Sequence, residues 1–171
     1  HTADAGVDTR IEAFLDVVRR YRDMKKAGFK TGSSGFDPSG TAEVVNIANR
    51  VYVRTPDGEK YPISHPKVKI LVPSMGDIGA RMLAATLSYV GANTVPLPPP
   101  GEKELAIGRK FTTCKECLPL QLTFGSLMRY VDEVWNGEDI LVNFMPEASG
   151  TCRFGQYNVM MRELVAKKGY D

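Results

Sequence analysis

The sequence is short of the features that identify many protein classes at once. Its 171 residues contain only three cysteines, which excludes a disulfide-dense mini-protein. Its charge is nearly balanced, with 22 Lys and Arg residues against 20 Asp and Glu residues. That balance gives no electrostatic reason to expect nucleic acid or an anionic membrane as a partner. It also shows no Ser-His-Asp or His-Glu-x-x-His arrangement, so neither a hydrolase triad nor a zinc protease motif is indicated.

An unbroken apolar stretch long enough to cross a membrane is also missing. The segment from Met82 to Gly101 carries no formal charge, but Pro96 and the run Pro98–Pro100 break any single helix across it. We therefore expect no membrane association. Because the cysteine count is odd and nothing points to export, structural disulfides are disfavoured and a reducing, cytoplasmic environment is expected.

What is present is the composition of a globular domain, with 43% apolar and 25% charged residues. Residues 1–64 predict an N-terminal helix, a linker and a β-hairpin. The helix is indicated by the capping-box spacing of Thr9 and Glu12 and by a closing glycine, Gly28. Residues 30–40 are rich in Gly and Ser and predict the linker. The segment Thr41–Arg54 is compatible with a short helix, but its β-branched residues favour a strand, which the turn at 55–58 joins to Lys60–Ile63 as a predicted hairpin.

Residues 65–171 alternate between strand and helix patterns. The predicted strands are Val68–Pro73, Asn93–Leu97 and Asp139–Met145, and the predicted helices end at Gly91, Gly137 and Gly169. This alternation predicts an α/β domain with an open, mainly parallel sheet and flanking helices, of the Rossmann or flavodoxin-like kind. No strand pattern follows the last helix, so we expect the domain to be truncated at its C-terminus, as a piece of a longer polypeptide.

The three cysteines are the chemically informative residues. Cys114 and Cys117 form a Cys-x-x-Cys, and Cys152 lies 35 residues further along the chain. All three fall on loops that lead into predicted helix N-termini, and Cys152 also follows a predicted strand. Open α/β sheets bind ligands at the carboxyl ends of their strands, and helix N-termini favour thiolates and anionic clusters.

The spacing alone leaves several kinds of chemistry open. Three thiolates are one ligand short of a closed tetrahedral zinc site, and neither His1 nor His65 is well placed to be the fourth. A [4Fe–4S] cluster usually takes four thiolates, but it could keep a non-protein ligand or take one from a missing segment. A redox-active Cys-x-x-Cys pair, and cysteines that are merely buried small hydrophobic residues, also fit the pattern.

Two sequence blocks resemble a known family. The first is Lys110–Pro119 followed by Leu122–Gly125, and the second is Phe144–Pro146 followed by Gly150–Asn158, which contains Cys-Arg-Phe-Gly-Gln-Tyr. Both are similar to the acyl-CoA dehydratase activase-related proteins, relatives of the 2-hydroxyacyl-CoA dehydratases and their CoA-substrate-specific activases. The resemblance covers about Val68 to Asp171.

The resemblance implies an iron–sulfur protein that works at low potential. In that family an ATPase module passes single electrons to a dehydratase-like module, which holds a [4Fe–4S] cluster near a CoA thioester. Carried over to this chain, it implies Cys117 and Cys152 as cluster and metal ligands, with the third thiolate either Cys114 or one supplied from outside this fragment. It implies as partners the remaining domains of the parent chain and either an ATP-dependent activator module or a CoA-thioester substrate.

The chain also departs from that family. It carries no Gly/Asp-rich ATPase signature, so it is not the ATP-hydrolysing activator, and it is shorter than a complete dehydratase subunit. We therefore expect the parent protein, rather than this fragment alone, to belong to an enzymatic acyl-CoA dehydratase or reductase activating system. Two hypotheses of other classes are a non-catalytic α/β binding or scaffolding domain with free or reversibly paired thiols, and, by fold analogy alone, a nucleotide-binding flavodoxin-like domain.

Overall fold

The computed structural model describes residues 42–74, 76–113 and 115–168, together with nine helical residues between positions 11 and 26. The chain forms two compact units, His1–Phe36 and Asp37–Asp171. In the first unit, the described residues Ile11, Phe14, Leu15 and Val18 are helical, in agreement with the predicted N-terminal helix. The predicted helix start at Thr9, its closing Gly28 and the linker at 30–40 lie outside the described residues.

A small antiparallel sheet opens the described part of the second unit. It consists of β1 (Glu43–Ile47), β2 (Arg50–Arg54) and β3 (Lys60–Pro62), in the order β1-β2-β3. The turn at 55–58 joins β2 to β3, with a 2.9 Å hydrogen bond from the Gly58 N–H to the Thr55 carbonyl. The predicted hairpin is therefore confirmed, and the strand pattern before it divides into two strands.

A parallel sheet forms the centre of this unit. Its strands are β4 (Val68–Val72), β5 (Thr94–Pro96) and β6 (Ile140–Asn143), in the order β5-β4-β6, and both pairings are parallel. Four of the five β4 residues are buried, as expected for a central strand covered on both faces. The prediction of a mixed α/β domain with a parallel sheet is confirmed.

Helices cover the two faces of the parallel sheet. They are α1 (Asp77–Tyr89), α2 (Glu102–Phe111), α3 (Leu118–Glu133) and α4 (Tyr157–Lys167), with a 3-10 turn at Arg153–Gln156 before α4. On one face, Ile70 and Val72 pack with alanines of α1. On the other face, Leu71 packs with α3 and α4. Adjacent residues of β4 thus pack into hydrophobic cores on opposite faces of the sheet, because side chains alternate along a strand.

The sequence patterns do not predict α2, and its stability comes from contacts with α3. The Gly101 N–H at its start donates a 2.7 Å hydrogen bond to the Glu104 carboxylate. A Cβ added at Gly108 would lie 2.0 Å from the Gln121 carbonyl oxygen, and one at Gly125 would lie 1.8 Å from the Glu104 carbonyl oxygen. The two helix backbones are therefore in direct contact, which only glycine permits at these two positions.

Candidate functional site

The topology brings Cys117 and Cys152 to the same edge of the parallel sheet. Helix α3 begins directly after Cys117 and leads through residues 134–139 into the amino end of β6, so its own start lies towards the carboxyl end of the sheet. Strand β6 ends at Asn143, and Cys152 follows on the next loop. This is the edge at which open α/β sheets bind ligands.

Cys117 is the N-cap residue of α3 and is partly buried. Its backbone is extended, and its carbonyl accepts a 3.0 Å hydrogen bond from the Leu120 N–H. Pro119 stands in the first turn of the helix, where its missing N–H costs nothing. The sulfur therefore lies at the positive end of the helix dipole, which stabilises negative charge.

The loop before Cys117 is closed by Glu116. The Thr113 N–H and hydroxyl donate hydrogen bonds of 2.9 and 3.0 Å to the two oxygens of the Glu116 carboxylate. Burial acts to raise the pKa of Glu116, but hydrogen bonds from its own N–H and from Thr113 outweigh burial and lower that pKa overall. Glu116 is thus an ionised loop-closing residue. Cys114, which lies between Thr113 and Lys115, is outside the described residues.

Cys152 is exposed and caps the 3-10 turn that precedes α4. Two glycines shape its loop. Gly150 has φ of 139°, a conformation that side chains disfavour. A Cβ added at Gly155 would lie 2.1 Å from the Ala148 carbonyl oxygen. The segment before Cys152 is therefore folded closely against the 3-10 turn, which fixes the position of the cysteine backbone.

Two contacts join the cysteine loops to each other. Arg153 Nη1 donates a 2.9 Å hydrogen bond to the backbone carbonyl of Lys115, two residues before Cys117 in the first loop. The Tyr157 hydroxyl lies 2.6 Å from Cys117 Sγ. Because Arg153 and Tyr157 follow Cys152 closely in sequence, these contacts hold the Cys152 loop beside Cys117.

Tyr157 lies at the centre of this arrangement. It is the first residue of α4, its side chain is only 5% exposed, and its ring meets that of Phe154 edge to face at 5.2 Å. Burial is the largest cause that raises the pKa of Tyr157. The hydrogen bond with Cys117 and the nearby charges of Cys117 and Cys152 raise it further, and only Arg153 acts in the opposite direction. The phenol is therefore held in its neutral form beside Cys117.

Of the three cysteines singled out from the sequence, the structure places Cys117 and Cys152 on two loops that contact each other, and it does not describe Cys114. Both described cysteines are free thiols. Within residues 42–74, 76–113 and 115–168, no group of three or more Cys, His, Asp or Glu side chains has an arrangement that could hold a metal ion. His65 lies in the turn before β4, where its Nδ1 accepts a hydrogen bond from the Lys67 N–H, at the edge opposite the cysteines.

Tyr157 is not among the site residues predicted from the sequence, although it belongs to the Cys-Arg-Phe-Gly-Gln-Tyr block. A usable signal is present in the helix that follows. Tyr157, Met161 and Leu164 are spaced as one helical face, and all three are buried. A tyrosine at the start of a buried face, close behind a cysteine, has its hydroxyl at the helix end where the cysteine lies.

A separate cavity of about 340 Å³ lies away from the cysteines. Its wall includes Lys67 before β4, Glu138 before β6, and the turn at 55–59. Lys67 and Glu138 lie at the amino ends of the parallel strands β4 and β6, whereas the cysteine loops lie towards the carboxyl ends of the parallel sheet. The cavity is therefore not part of the thiol site.

Comparison with known proteins gives no relative from which a function could be transferred. No family model, no curated protein and no solved structure matches the chain. In the part of the chain that is described, no helix is both long and apolar enough to span a membrane. The chemistry of the cysteine site is therefore the basis for inferring function.

Proposed function

We propose that this chain is the cluster-carrying domain of a cytoplasmic, activase-related redox protein. Cys117, Cys152 and Cys114 hold a [4Fe–4S] cluster that takes part in one-electron transfer to, or activation of, a CoA-thioester system of the 2-hydroxyacyl-CoA dehydratase type. The observation that carries this proposal is the meeting of the two cysteine loops around Tyr157. The proposal also takes the β5-β4-β6 sheet to be part of a Rossmann or flavodoxin-like fold.

The donor chemistry around the two described cysteines fits such a cluster. Thiolates are the usual ligands of iron–sulfur clusters. Cys117 and Cys152 each cap a helical turn, and Arg153 adds a positive charge between their loops. Cys152 is exposed and Cys117 is partly buried, so a cluster held by both would have one side open to a partner. Cys114, three residues before Cys117, is the third ligand in this proposal.

The chain's own residues have distinct tasks in this site. Arg153 donates a hydrogen bond to the Lys115 carbonyl and so keeps the Cys-x-x-Cys loop beside the Cys152 loop. Glu116 accepts hydrogen bonds from the Thr113 N–H and hydroxyl and so closes the loop that precedes Cys117. A bound cluster supplies the one-electron chemistry. The remaining domains of the parent protein, with an ATP-dependent activator or a CoA thioester, are the proposed partners.

The competing proposal is a binding or scaffolding domain whose thiols stay free or pair reversibly. The observation that favours it is that Cys117 and Cys152 are both free. It differs from the cluster proposal in a direct way, because it requires no metal. Mild oxidation would then form a Cys114–Cys117 disulfide, and iron would not be taken up.

Iron and acid-labile sulfide analysis after anaerobic reconstitution of the full chain separates the two proposals. We expect about four irons per chain, the content of one [4Fe–4S] cluster, and a loss of most of this iron in Cys117→Ala and in Cys152→Ala. Thr151→Ala is the matched control, because Thr151 is an exposed neighbour of Cys152 and is not a ligand. Full iron loading in both cysteine variants, or none in the wild type, would overturn the cluster proposal.

A further inference from the structure

We infer that β6 is an interaction surface for a second copy of this chain: its outer edge pairs antiparallel with β6 of the other copy and joins the two parallel sheets into one continuous sheet. This inference does not depend on the chemistry of the cysteines. The observation behind it is that β6 is an edge strand with neither a charged residue nor a proline.

The other three edge strands of the two described sheets carry residues that discourage pairing. Strand β1 contains Glu43, and β3 contains Lys60 and Pro62. Strand β5 ends at Pro96. Charged residues and prolines are the usual protection of a free edge, because a charge is costly to cover and proline has no N–H to offer. Strand β6 has the sequence Ile-Leu-Val-Asn and lacks this protection.

The pairing of β6 with β4 defines which backbone groups of β6 face outward. The Ile140 and Phe144 N–H groups each donate a 2.8 Å hydrogen bond to a carbonyl on the β4 side. Bonding residues alternate along a strand of a parallel pair, so the N–H and C=O groups of Leu141 and Asn143 face away from β4. No strand within the described residues pairs with this edge. Two residues of β6 thus present donors and acceptors to a strand alongside.

The side chains of β6 are apolar on both faces of the sheet. Leu141 packs with the core on the α3 and α4 face, and Val142 packs with the core on the α1 face. All four β6 residues are nevertheless only partly buried. A run that is apolar on both faces is typical of a strand inside a sheet, and a strand added at this edge buries surface that one copy leaves exposed.

The sequence of β6 fits its own copy. With a two-fold axis at Val142, this residue lies opposite the partner's Val142, and Leu141 exchanges both backbone hydrogen bonds with the partner's Asn143. One position further along, Ile140 lies opposite the partner's Phe144. This register places no like charges opposite each other, a placement that would disfavour pairing. A two-fold axis is also the commonest symmetry of soluble oligomers, so a second copy is the occupant that this strand suits.

Cysteine cross-linking tests the pairing and its register. Directly opposite residues of a non-hydrogen-bonded pair have Cβ atoms about 4.5 Å apart, close to the separation that a disulfide requires. In Val142→Cys, mild oxidation of the full-length chain should give a covalent dimer, with the link at position 142 of both copies located by mass spectrometry. The matched control is Val95→Cys in β5, at the opposite edge of the same sheet. If Val142→Cys gives no more covalent dimer than Val95→Cys, the proposal is overturned.

Sedimentation equilibrium of the full-length chain measures the dimer without a cross-link. We expect the wild type to have the mass of two chains. Leu141→Pro removes an outward N–H from each copy and should raise the dissociation constant about thirtyfold, whereas Leu141→Ala keeps the N–H and should stay dimeric. A monomeric wild type overturns the proposal, and so does a Leu141→Pro chain with normal circular dichroism that dimerises as tightly as the wild type. If Leu141→Pro does not fold, the cross-link at position 142 decides.

Discussion

The contact between the α2 and α3 backbones can be tested with one methyl group. Gly125 is buried in the middle of α3, and a Cβ added there would lie 1.8 Å from the Glu104 carbonyl oxygen of α2. An ordinary contact between such atoms is about 3.5 Å or more. The Gly125→Ala change therefore requires the two helices to move apart by more than an ångström.

The cost of this movement exceeds any gain in helix propensity. Alanine in place of glycine favours a helix by about 1 kcal/mol. Overpacking a tight contact costs about 1–3 kcal/mol and occasionally more, and a backbone carbonyl cannot rotate away as a side chain can. Separation also stretches the ion pair between Glu104 and Arg129. With the overpacking cost at the upper end of this range, we expect a net loss of about 2 kcal/mol in the free energy of unfolding.

Denaturant unfolding followed by tryptophan fluorescence measures this loss. The only tryptophan is Trp135, whose indole N–H donates a 2.8 Å hydrogen bond to the Asp139 carbonyl between α3 and β6. The control is Gly79→Ala in α1, where no atom lies within 4 Å of the added Cβ. That control should stabilise the protein by about 1 kcal/mol. A Gly125→Ala protein as stable as the wild type would refute the close helix contact.

Two further predictions concern the buried carboxylate of α2 and the loop before Cys152. Burial acts to raise the pKa of Glu104, but hydrogen bonds from Arg129 and from the Gly101 N–H outweigh it and lower that pKa overall. This stabilisation is present above the ordinary glutamate pKa and is lost as the pH falls through the lowered pKa. In Glu104→Gln, the free energy of unfolding should therefore decrease less steeply towards acid pH than in the wild type. Denaturant titrations at several pH values measure this dependence. An equally steep decrease in the variant would contradict a contribution of the Glu104–Arg129 ion pair to stability. Gly155→Ala should displace the Cys152 loop from Ala148 and lower iron content while circular dichroism stays unchanged, and normal iron loading would contradict this.

Local sequence patterns predict the elements whose buried residues lie close together along the chain. The apolar run of β4 is predicted as a buried strand and is central in the sheet. Helix α3 is predicted from Pro119 and its apolar face, and it contains Phe124, which is fully buried. In both cases hydrophobic burial and helix-start chemistry act over a short stretch, so no distant contact is needed to recognise them.

Local sequence patterns do not predict two features, because contacts with residues distant in sequence stabilise them. Helix α2 contains a buried glutamate and a glycine, which lower its apolar signal, and its stability depends on Arg129 and on the backbone of α3. The turn between β1 and β2 places Ala48 and Asn49 at φ of 50° and 62°. Alanine is not a residue that marks such a turn, so the pairing of β1 with β2 overrides its local preference.

The amino-acid sequence by itself determined that the second unit is a mixed α/β domain and that Cys117 and Cys152 lie just before helical turns. It could do so because strand and helix periodicity and helix-start residues are local properties. Only the tertiary structure decided that the two cysteine loops meet and that Tyr157 contacts Cys117. Those contacts join residues up to 40 positions apart, and they form because the parallel sheet brings the starts of α3 and α4 to one edge.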